Sequence, residues 1–590
     1  MRDKLMAAAA ALLAGLFLNA TPAAGAEGAG ACAQIRKACR DAGFVAGGMK
    51  AGNGLKADCF EPILHGSARR PSASRPLPSL DAATVAACQA DGSPTDAPAE
   101  ADMPAEGPAA EPAAPAVAPT AGGAGAGRPN FVFILADDFS MNLLSARDDM
   151  LKRSMPNLMK MQSEGVTFAS YFVTDSLCCP SRSSIFTGKL PHNTGVYTNR
   201  PPFGGYDGFM KHGNESHTFA VALQKGGYRT AMLGKYLNGY EPAKDGVPKG
   251  WSEWDVDGSR GYQEVNYPLN ENGKVRNHAE YLTDEISLLG REFIKKSASG
   301  PFFIEFATFA PHAPYVPPAR YRDDFPTLSY DQSLPFGARL DANAPDWLKE
   351  VPALEQKDID AINKAFRKRV RSDRAIDDLI RDVRAELVRL GIDKNTYVIF
   401  SSDNGYHMGE YSLRPGKMTP FDTDVQVPLI VVGPGVPAGQ VLSDLVENVD
   451  LCPTFTELGG ASGATDPDGQ SLVALLRPGY VGDPAHPWRR AVLIEHHHAG
   501  PNKPDPDLPA PKSGNPPTYE ALRTATALYV EYSDAKHEIG YYDLQADPLE
   551  LRNVAASLPP ASLKRWHEAL HANAVCKGAR ECRAAQQLVP

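Results

Sequence analysis

The sequence predicts an α/β fold, because short apolar runs of strand length alternate with a long segment of helical spacing. The apolar runs lie at residues 131–135, 302–306, 397–400 and 427–432. Helical spacing extends over residues 359–390, and Gly391 lies just past its end. From residue 461 onward the sequence changes character, and short strand candidates lie at residues 491–494, 527–530 and 540–544. We therefore expect a large central sheet flanked by helices, and a smaller antiparallel sheet near the C-terminus.

Length and composition allow a large core and argue against nucleic-acid binding. The chain has 590 residues, of which 43% are hydrophobic and 22% charged, with a formal net charge of -10 and a pI near 5.8. A nucleic-acid-binding surface requires clustered positive charge, which this balance does not favour. An anionic substrate would have to be held by local positive groups.

The N-terminal segment, residues 1–26, has the pattern of a cleaved signal peptide. Arg2 and Lys4 precede an apolar run at residues 6–18, and small residues follow at 24–26. This run is too short to span a bilayer, and no later stretch of the sequence is long enough. We expect an exported protein, periplasmic or secreted, without a transmembrane segment.

Residues 27–92 are predicted to form a small Cys-containing module of unknown role, followed by an Ala-, Pro- and Gly-rich linker at residues 93–128. Nine cysteines in an exported chain suggest disulfides. Six of them, four in the module and two near the C-terminus, allow three bridges: Cys32, Cys39, Cys59, Cys88, Cys576 and Cys582. The remaining three are Cys178, Cys179 and Cys452, an odd number, so at least one of them has other chemistry.

Polar residues follow two of the predicted strands. Asp137 and Asp138 come after the run at 131–135, and Asp403 and Asn404 after the run at 397–400. Taken alone, each pair would more often be turn or cap residues. In open α/β sheets, however, ligands gather at the carboxyl ends of strands, so the two pairs can meet there. Oxygen donors alone suit a hard cation such as calcium or magnesium better than zinc.

The stretch at residues 178–189 bears most directly on chemistry. Pro180 suits the first turn of a helix, and no helix breaker follows until Gly188. Cys178 is therefore predicted at a helix N-terminus, where free backbone N–H groups attract an anion. Arg182 lies four residues later on nearly the same helical face. A bare Cys178–Cys179 pair would instead be interpreted as structural or mutually bonded.

The same stretch resembles the signature of the type I, formylglycine-dependent sulfatases, because its C-x-P-S-R-x-x-x-x-T-G pattern is complete. The resemblance implies an alkaline-phosphatase-like sandwich, with a catalytic domain at residues 129–460 and a C-terminal sulfatase subdomain at 461–590. It implies that a formylglycine-generating enzyme oxidises Cys178 to an aldehyde, which hydrates to a diol supported by Ser181 and Arg182. It also implies a bound Ca²⁺, with Mg²⁺ or Mn²⁺ as alternatives. The implied metal ligands are residue 178, Asp137, Asp138, Asp403 and Asn404.

Three further segments resemble the family's substrate contacts. The resemblance implies that Lys235 and Lys417 bind the sulfate and that His312 contacts the sulfate or the ester oxygen. Asn238 and His407 are further candidates for the substrate pocket. Many sulfatases have Lys-x-His where this chain has Lys-Tyr-Leu-Asn at residues 235–238, so the usual elimination base has no counterpart.

The motif forms most resemble the N-acetylglucosamine-6-sulfatase branch, which implies hydrolysis of a sulfate ester on a sulfated sugar or glycan. One alternative is a phosphodiesterase or phosphonate monoester hydrolase of the same superfamily, in which Asn404 would more often be His. Another is a non-catalytic sulfated-glycan-binding protein whose Cys178 is never oxidised. Residues 495–498, Glu-His-His-His, are interpreted as a polar loop after a strand, and the basic stretch at 367–371 as a solvated helix face. The sequence does not determine the sugar or the oligomeric state.

Overall fold

The computed structural model describes residues 127–590 except 142–147, 334, 462–465, 484–485 and 499–512, together with residues 76–90 and isolated positions between 35 and 63. The predicted signal peptide, Cys32 and all but the last two residues of the predicted linker lie outside the described residues. The chain forms two compact units, Met1–Thr120 and Ala121–Pro590. The predicted boundaries at 92 and 460 remain predictions.

The first unit contains helix α1 (Ala82–Ala90) and a disulfide between Cys39 and Cys59. Cys88 is also disulfide-bonded. In the second unit a disulfide joins Cys576 and Cys582. These bridges agree with the grouping expected from the sequence, and Cys178, Cys179 and Cys452 are buried cysteines outside any disulfide of the described residues.

A ten-stranded mixed sheet forms the centre of the second unit. With strands numbered along the chain, its spatial order is β11 (Gln440–Leu442), β2 (Val166–Phe168), β10 (Leu429–Val432), β9 (Thr396–Ser402), β1 (Asn130–Ala136), β8 (Phe302–Ala307), β4 (Arg229–Lys235), β5 (Glu253–Asp257), β6 (Tyr267–Glu271) and β7 (Lys274–His278). The block from β9 to β5 is parallel, while β10 and β6 flank it in antiparallel pairing. The parallel block brings the carboxyl ends of β1, β9, β4 and β8 to one edge. Two short strands, β3 (Tyr171–Phe172) and β12 (Val446–Glu447), pair separately.

The central strand β1 is buried on both faces, which explains its continuous apolar sequence. Phe131, Phe133 and Leu135 pack in the core on one side of the sheet. Val132 and Ile134 pack in a second core on the other side. Helices cover both faces, as an α/β sandwich requires.

The remaining helices, numbered along the chain, are α2 (Asp148–Ser154), α3 (Pro156–Glu164), α4 (Cys178–Thr187), α5 (Pro191–Thr194), α6 (Gly205–Lys211), α7 (Phe219–Lys225), α8 (Leu282–Ser297), α9 (Asp346–Lys349), α10 (Gln356–Arg389), α11 (Asp422–Val425), α12 (Leu451–Leu458), α13 (Pro560–Ala574) and α14 (Gly578–Ala585). None of the helices in the described part of the chain combines the length and apolar character needed to cross a membrane.

Helix α10 is the long helix expected from the sequence, and it spans 34 residues. A capping box between Glu355 and Asp358 begins it, and Gly391, in the left-handed region at φ 70°, follows its end. Its apolar face, with Phe366 and Val370, packs in the second core. The interpretation of residues 367–371 as a solvated face is wrong for Arg369, which is 1% exposed because it lies on the packed side of the helix.

The smaller C-terminal sheet is antiparallel, with strands β13 (Ala491–His496), β14 (Tyr519–Thr524), β15 (Ala527–Tyr532) and β16 (Ile539–Asp543) in consecutive order. Strand β14 was not predicted, because its Glu-Ala-Leu-Arg sequence favours a helix in isolation. Pairing with β13 and β15 imposes the extended form. The interpretation of residues 495–498 as a loop is wrong for Glu495 and His496, which belong to β13 and are buried.

Candidate active site

Cys178 occupies the first position of α4, and the whole helix is buried. Leu177 precedes it and supplies no side-chain cap. Instead the Asn199 side chain accepts a hydrogen bond from the backbone N–H of Cys179, at 2.8 Å. The helix ends at Gly188, whose left-handed φ of 73° closes the last turn. These local features fix the Cys178 side chain at the rim of the parallel strands.

The two polar pairs meet at the ends of neighbouring parallel strands β1 and β9. The backbone N–H of Asp138 donates to Asp403 Oδ1 at 3.2 Å, and Asn404 Nδ2 donates to Asp138 Oδ1 at 2.6 Å. Asp138 adopts a left-handed conformation, with φ 67°. The thiol of Cys178 lies 3.5 Å from Asp137 Oδ1. Residues far apart in the sequence therefore form one compact centre.

Three cationic side chains enter this centre from three segments. Arg182 Nε donates to Asp403 Oδ2 at 2.8 Å, and its Nη1 donates to the Lys235 carbonyl at 2.8 Å. Lys235, the last residue of β4, places its Nζ 2.5 Å from Asp137 Oδ2.

The ammonium group of Lys417 bridges two groups of the centre. Its Nζ donates to Asp138 Oδ1 at 2.7 Å and to Cys178 Sγ at 2.8 Å. In these contacts three carboxylates face three cationic side chains: Asp137, Asp138 and Asp403 face Lys235, Lys417 and Arg182.

Asp137 and Asp138 stay ionised despite their burial. Burial acts to raise the pKa of Asp137, but Lys235 and His312 outweigh it and hold that pKa below its usual range. Burial acts the same way on Asp138, where Lys417 and His312 again bring the pKa below its usual range. The centre therefore presents charged carboxylates to a ligand.

The thiol of Cys178 is poorly suited to act as a thiolate. Burial raises its pKa well above the usual value, although Lys235 and Lys417 act in the opposite direction. A thiolate nucleophile would require a pKa below the usual value of a thiol.

His312 lies in the loop after β8, facing Asp138. Its Nε2 is 3.6 Å from Asp138 Oδ2, and its Nδ1 lies 2.7 Å from the Ala313 carbonyl. Since a carbonyl only accepts, Nδ1 carries a proton and Nε2 faces the centre. The ring stacks obliquely on Tyr262, with centroids 4.5 Å apart. Asn238 Nδ2 donates to the same tyrosine hydroxyl at 3.2 Å, so Asn238 approaches the centre through Tyr262.

His407 is not brought into the centre as a substrate contact. It is fully buried, with Nδ1 2.9 Å from Asp424 and Nε2 2.7 Å from the Ser513 carbonyl. Burial acts to lower its pKa, but Asp424 outweighs this and raises the pKa. Both ring nitrogens are used within the protein, so the geometry argues against the predicted substrate contact and for a structural role.

Asn448 is a supporting residue that sequence reasoning missed. Its Nδ2 donates to Ser181 Oγ at 2.9 Å, and that hydroxyl in turn donates to the Asp403 carbonyl. Asn448 directly follows strand β12, and no local sequence signal indicates it.

The donor set fits a hard divalent cation. Asp137, Asp138, Cys178 and His312 form a group whose potential ligand atoms lie within 4.8 Å of one another. Asp138 Oδ2 and Asn404 Oδ1 are buried and accept no hydrogen bond from the described residues, although a buried oxygen normally has a partner. These oxygens suit calcium or magnesium.

Asp403 contributes less directly than the sequence suggested. Its Oδ2 is held by Arg182 and its Oδ1 by the backbone N–H of Asp138. A direct metal bond from Asp403 stays a prediction.

Comparison with known proteins identifies the family. A family model described as Sulfatase matches residues 129–461, and one described as N-sulphoglucosamine sulphohydrolase, C-terminal, matches residues 409–572. The human N-acetylglucosamine-6-sulfatase is 34% identical over 490 residues, covering 77% of this chain and 86% of the relative. The N-acetylglucosamine-6-O-sulfatase of Bacteroides thetaiotaomicron is 25% identical, covering 72% and 82%.

Solved structures share the fold. One protein, determined in complex with its substrate D-glucosamine-2-N,6-O-disulfate, superposes with a TM-score of 0.64 at 21% identity, covering 75% of this chain and 97% of its own. A phosphonate monoester hydrolase from Silicibacter pomeroyi superposes with a TM-score of 0.56 at 22% identity, covering 75% and 93%.

The chain belongs to the sulfatase family and is a sulfuric ester hydrolase. Within that family its similarity is to the N-acetylglucosamine-6-sulfatase branch, as the motifs of the sequence suggested. The predicted sandwich fold is confirmed by its structural neighbours.

Proposed function

We propose that this sulfatase removes sulfate from a sulfated sugar, using a formylglycine made from Cys178 and one divalent cation, for which calcium is the expected ion. The observation that carries the proposal is the position of Cys178 Sγ, which lies 2.8 Å from Lys417 Nζ and 3.5 Å from Asp137 Oδ1. In this structure Sγ stands where a hydroxyl oxygen of the hydrated aldehyde would lie. A nucleophile at this point adjoins both the carboxylates and the positive charges.

Sulfate esters resist attack because their oxygens repel a nucleophile, so the site must neutralise them. When bound, the cation would draw charge from the sulfate oxygens and make a hydroxyl of oxidised residue 178 more acidic. Asp137, Asp138 and Asn404 would hold the cation, and Arg182 keeps Asp403 in place beside them. Lys235 supplies further positive charge for the sulfate oxygens.

The geometry assigns different roles to the two candidate proton carriers. Lys417 contacts Asp138 Oδ1 and Cys178 Sγ, so it serves the nucleophile. His312 faces Asp138 Oδ2, the other oxygen of the same carboxylate. We assign His312 to the leaving alcohol, to which a protonated Nε2 donates its proton as the ester S–O bond breaks. As an ammonium, Lys417 stabilises the nucleophile by its charge and does not act as a base. His312 Nε2 can accept a proton only after it has given its own to the leaving alcohol, and it is then the candidate for the role of the Lys-x-His base that the chain lacks.

The substrate class follows from the relatives rather than from the site. The human relative is named an N-acetylglucosamine-6-sulfatase, and a structural neighbour was solved with a sulfated glucosamine as substrate. We propose a sulfated glucosamine or a glycan that contains it. We also propose that the enzyme is exported and modified by a formylglycine-generating enzyme, supported by its N-terminal pattern and its complete signature.

The decisive experiment compares Cys178→Ala with Cys179→Ala, its equally buried neighbour. Peptide mass spectrometry of protein made in a host with the modifying enzyme should show residue 178 converted to an aldehyde in the wild type and in Cys179→Ala. Turnover should vanish only in Cys178→Ala, with the folded state retained. Ordinary activity in Cys178→Ala, or full activity with an intact thiol, would refute the proposal.

Substrate preference separates this proposal from a phosphonate or phosphodiester hydrolase. Initial rates should be compared on N-acetylglucosamine-6-sulfate, an aryl sulfate and an aryl phosphate diester. We expect kcat/KM to be highest for the sulfated sugar. A preference for the phosphate diester would reassign the enzyme, and binding of the sugar without turnover would indicate a glycan-binding protein.

A further inference from the structure

We propose that Arg369, on helix α10, is a positioning residue that holds the cation-binding turn in its productive shape. The inference rests on the proposed function, since it concerns the same cation. It gives a role to a basic residue in the stretch 367–371, which was interpreted from the sequence as a solvated helix face. Arg369 touches no reacting atom and acts through Asp138.

Arg369 is a buried charged residue at a position where an apolar side chain of similar size could fill the same space. It is 1% exposed, and its Nη2 donates to the backbone carbonyl of Asp138. Its Nε and Nη1 have no hydrogen-bond partner within the described part of the chain. A buried guanidinium with so few bonds is costly compared with an apolar side chain of the same size. A specific task at Asp138 explains why the charge is there.

One guanidinium reaches three of the segments that carry the candidate cation and substrate contacts. It bonds to the turn after β1 through Asp138. It lies over the ring of Tyr406, 4.5 Å from the centroid, and Tyr406 follows the Asp403–Asn404 turn after β9. It also lies 5.8 Å from the ring of Tyr315, three residues after His312. The two tyrosine hydroxyls are hydrogen-bonded to each other at 2.7 Å.

The backbone of the turn needs such support. Asp138 has φ 67° and Tyr315 has φ 60°, a region that residues other than glycine seldom adopt. Such conformations persist only where neighbouring groups hold them. Because the left-handed Asp138 directs its carboxylate toward Asn404 and Lys417, a relaxed backbone would move a candidate cation ligand.

The test measures Ca²⁺ binding directly. Calcium chloride is titrated by calorimetry into chelator-treated, dialysed full-length protein, for the wild type and Arg369→Met. Loss of support behind a metal ligand typically weakens metal binding about 10- to 100-fold. We expect a rise of that size in the Ca²⁺ dissociation constant, with kcat falling more than KM rises for N-acetylglucosamine-6-sulfate.

Arg367→Met is the matched control, since Arg367 lies on the same helix and also donates to a backbone carbonyl, that of Leu328, at 2.9 Å. Its Ca²⁺ affinity should stay within about twofold of the wild type, because Leu328 carries no ligand. Arg369→Lys keeps the charge but not the planar fork, so it should also bind Ca²⁺ more weakly than the wild type. This variant decides the matter if Arg369→Met does not fold.

Wild-type Ca²⁺ affinity in Arg369→Met, or in Arg369→Lys where only that variant folds, would overturn the inference and leave the proposed function intact. A loss in Arg367→Met equal to that in Arg369→Met would also overturn it. Absence of Ca²⁺ binding in the wild type would overturn the calcium assignment of the proposed function, and this inference with it.

Discussion

Replacing Arg182 with methionine should lower the free energy of unfolding, and the size of the loss follows from the burial of the Arg182–Asp403 ion pair. Arg182 and Asp403 are both fully buried, and Nε and Oδ2 are 2.8 Å apart. The variant leaves Asp403 as a buried carboxylate without its partner and also frees the Lys235 carbonyl. Removing one member of a buried ion pair costs about 3–5 kcal/mol. We expect the free energy of unfolding to fall by that amount.

The measurement is urea unfolding of the full-length protein in chelator, followed by circular dichroism. The variants are Arg182→Met, Asp403→Asn and the double variant. Because the double variant leaves no unpaired charge, its loss should be smaller than the sum of the two single losses. Arg389→Met, which removes an exposed pair with Glu386 on α10, serves as control and should show no resolvable loss. Additive losses, or a loss below about 1 kcal/mol for Arg182→Met, would refute the reasoning.

Three further predictions concern separate parts of the unit. Lys417→Met should lower kcat about 100- to 1000-fold in steady-state kinetics, because one preorganised charge is removed; a change below about threefold would contradict the role given to Lys417. Burial acts to lower the pKa of His192, but Glu495 outweighs it and raises that pKa to about 9. The resulting stabilisation, at most about 3 kcal/mol, is full below about pH 6.5 and is lost as pH rises through about 9. His192→Gln should therefore destabilise the protein in urea at pH 6 and not at pH 10, and an equal loss at both pH values would contradict this. Cys582→Ser opens the loop of sequence separation 6 to Cys576 and should cost about 2 kcal/mol of unfolding free energy, whereas an unchanged urea midpoint would contradict the entropic argument.

Much of the fold was predictable because the central strands are buried on both faces. Such strands have continuous apolar sequences, as β1 and β9 do, and their ends are marked by Asp137 and Asp403. The start of α4 at Cys178 was also predictable from Pro180. Strand β14 was not, because its extended form depends on neighbours that the local sequence does not show.

Helical periodicity indicated the burial of Arg369, but the basic character of residues 367–371 suggested exposure. Ile362, Phe366 and Val370 recur at helical spacing, and Arg369 and Asp373 fall on the same face. Periodicity alone placed both charged side chains toward the core, whereas the basic character of the stretch suggested solvent. The structural role of His407 had no such signal, since nothing in the local sequence indicates that its ring nitrogens contact Asp424 and the Ser513 carbonyl.

The pairing of Lys235 with Asp137 and of Lys417 with Asp138 has a consequence for the order of binding. An ammonium group that is already paired with a carboxylate attracts a monoanionic ester less strongly, and a dication bound by the same carboxylates adds to that attraction. Ester and dication should then bind cooperatively, and by thermodynamic reciprocity each should tighten the other by the same factor. The affinity of the enzyme for its substrate would thus depend on the concentration of divalent ions in the surrounding solution.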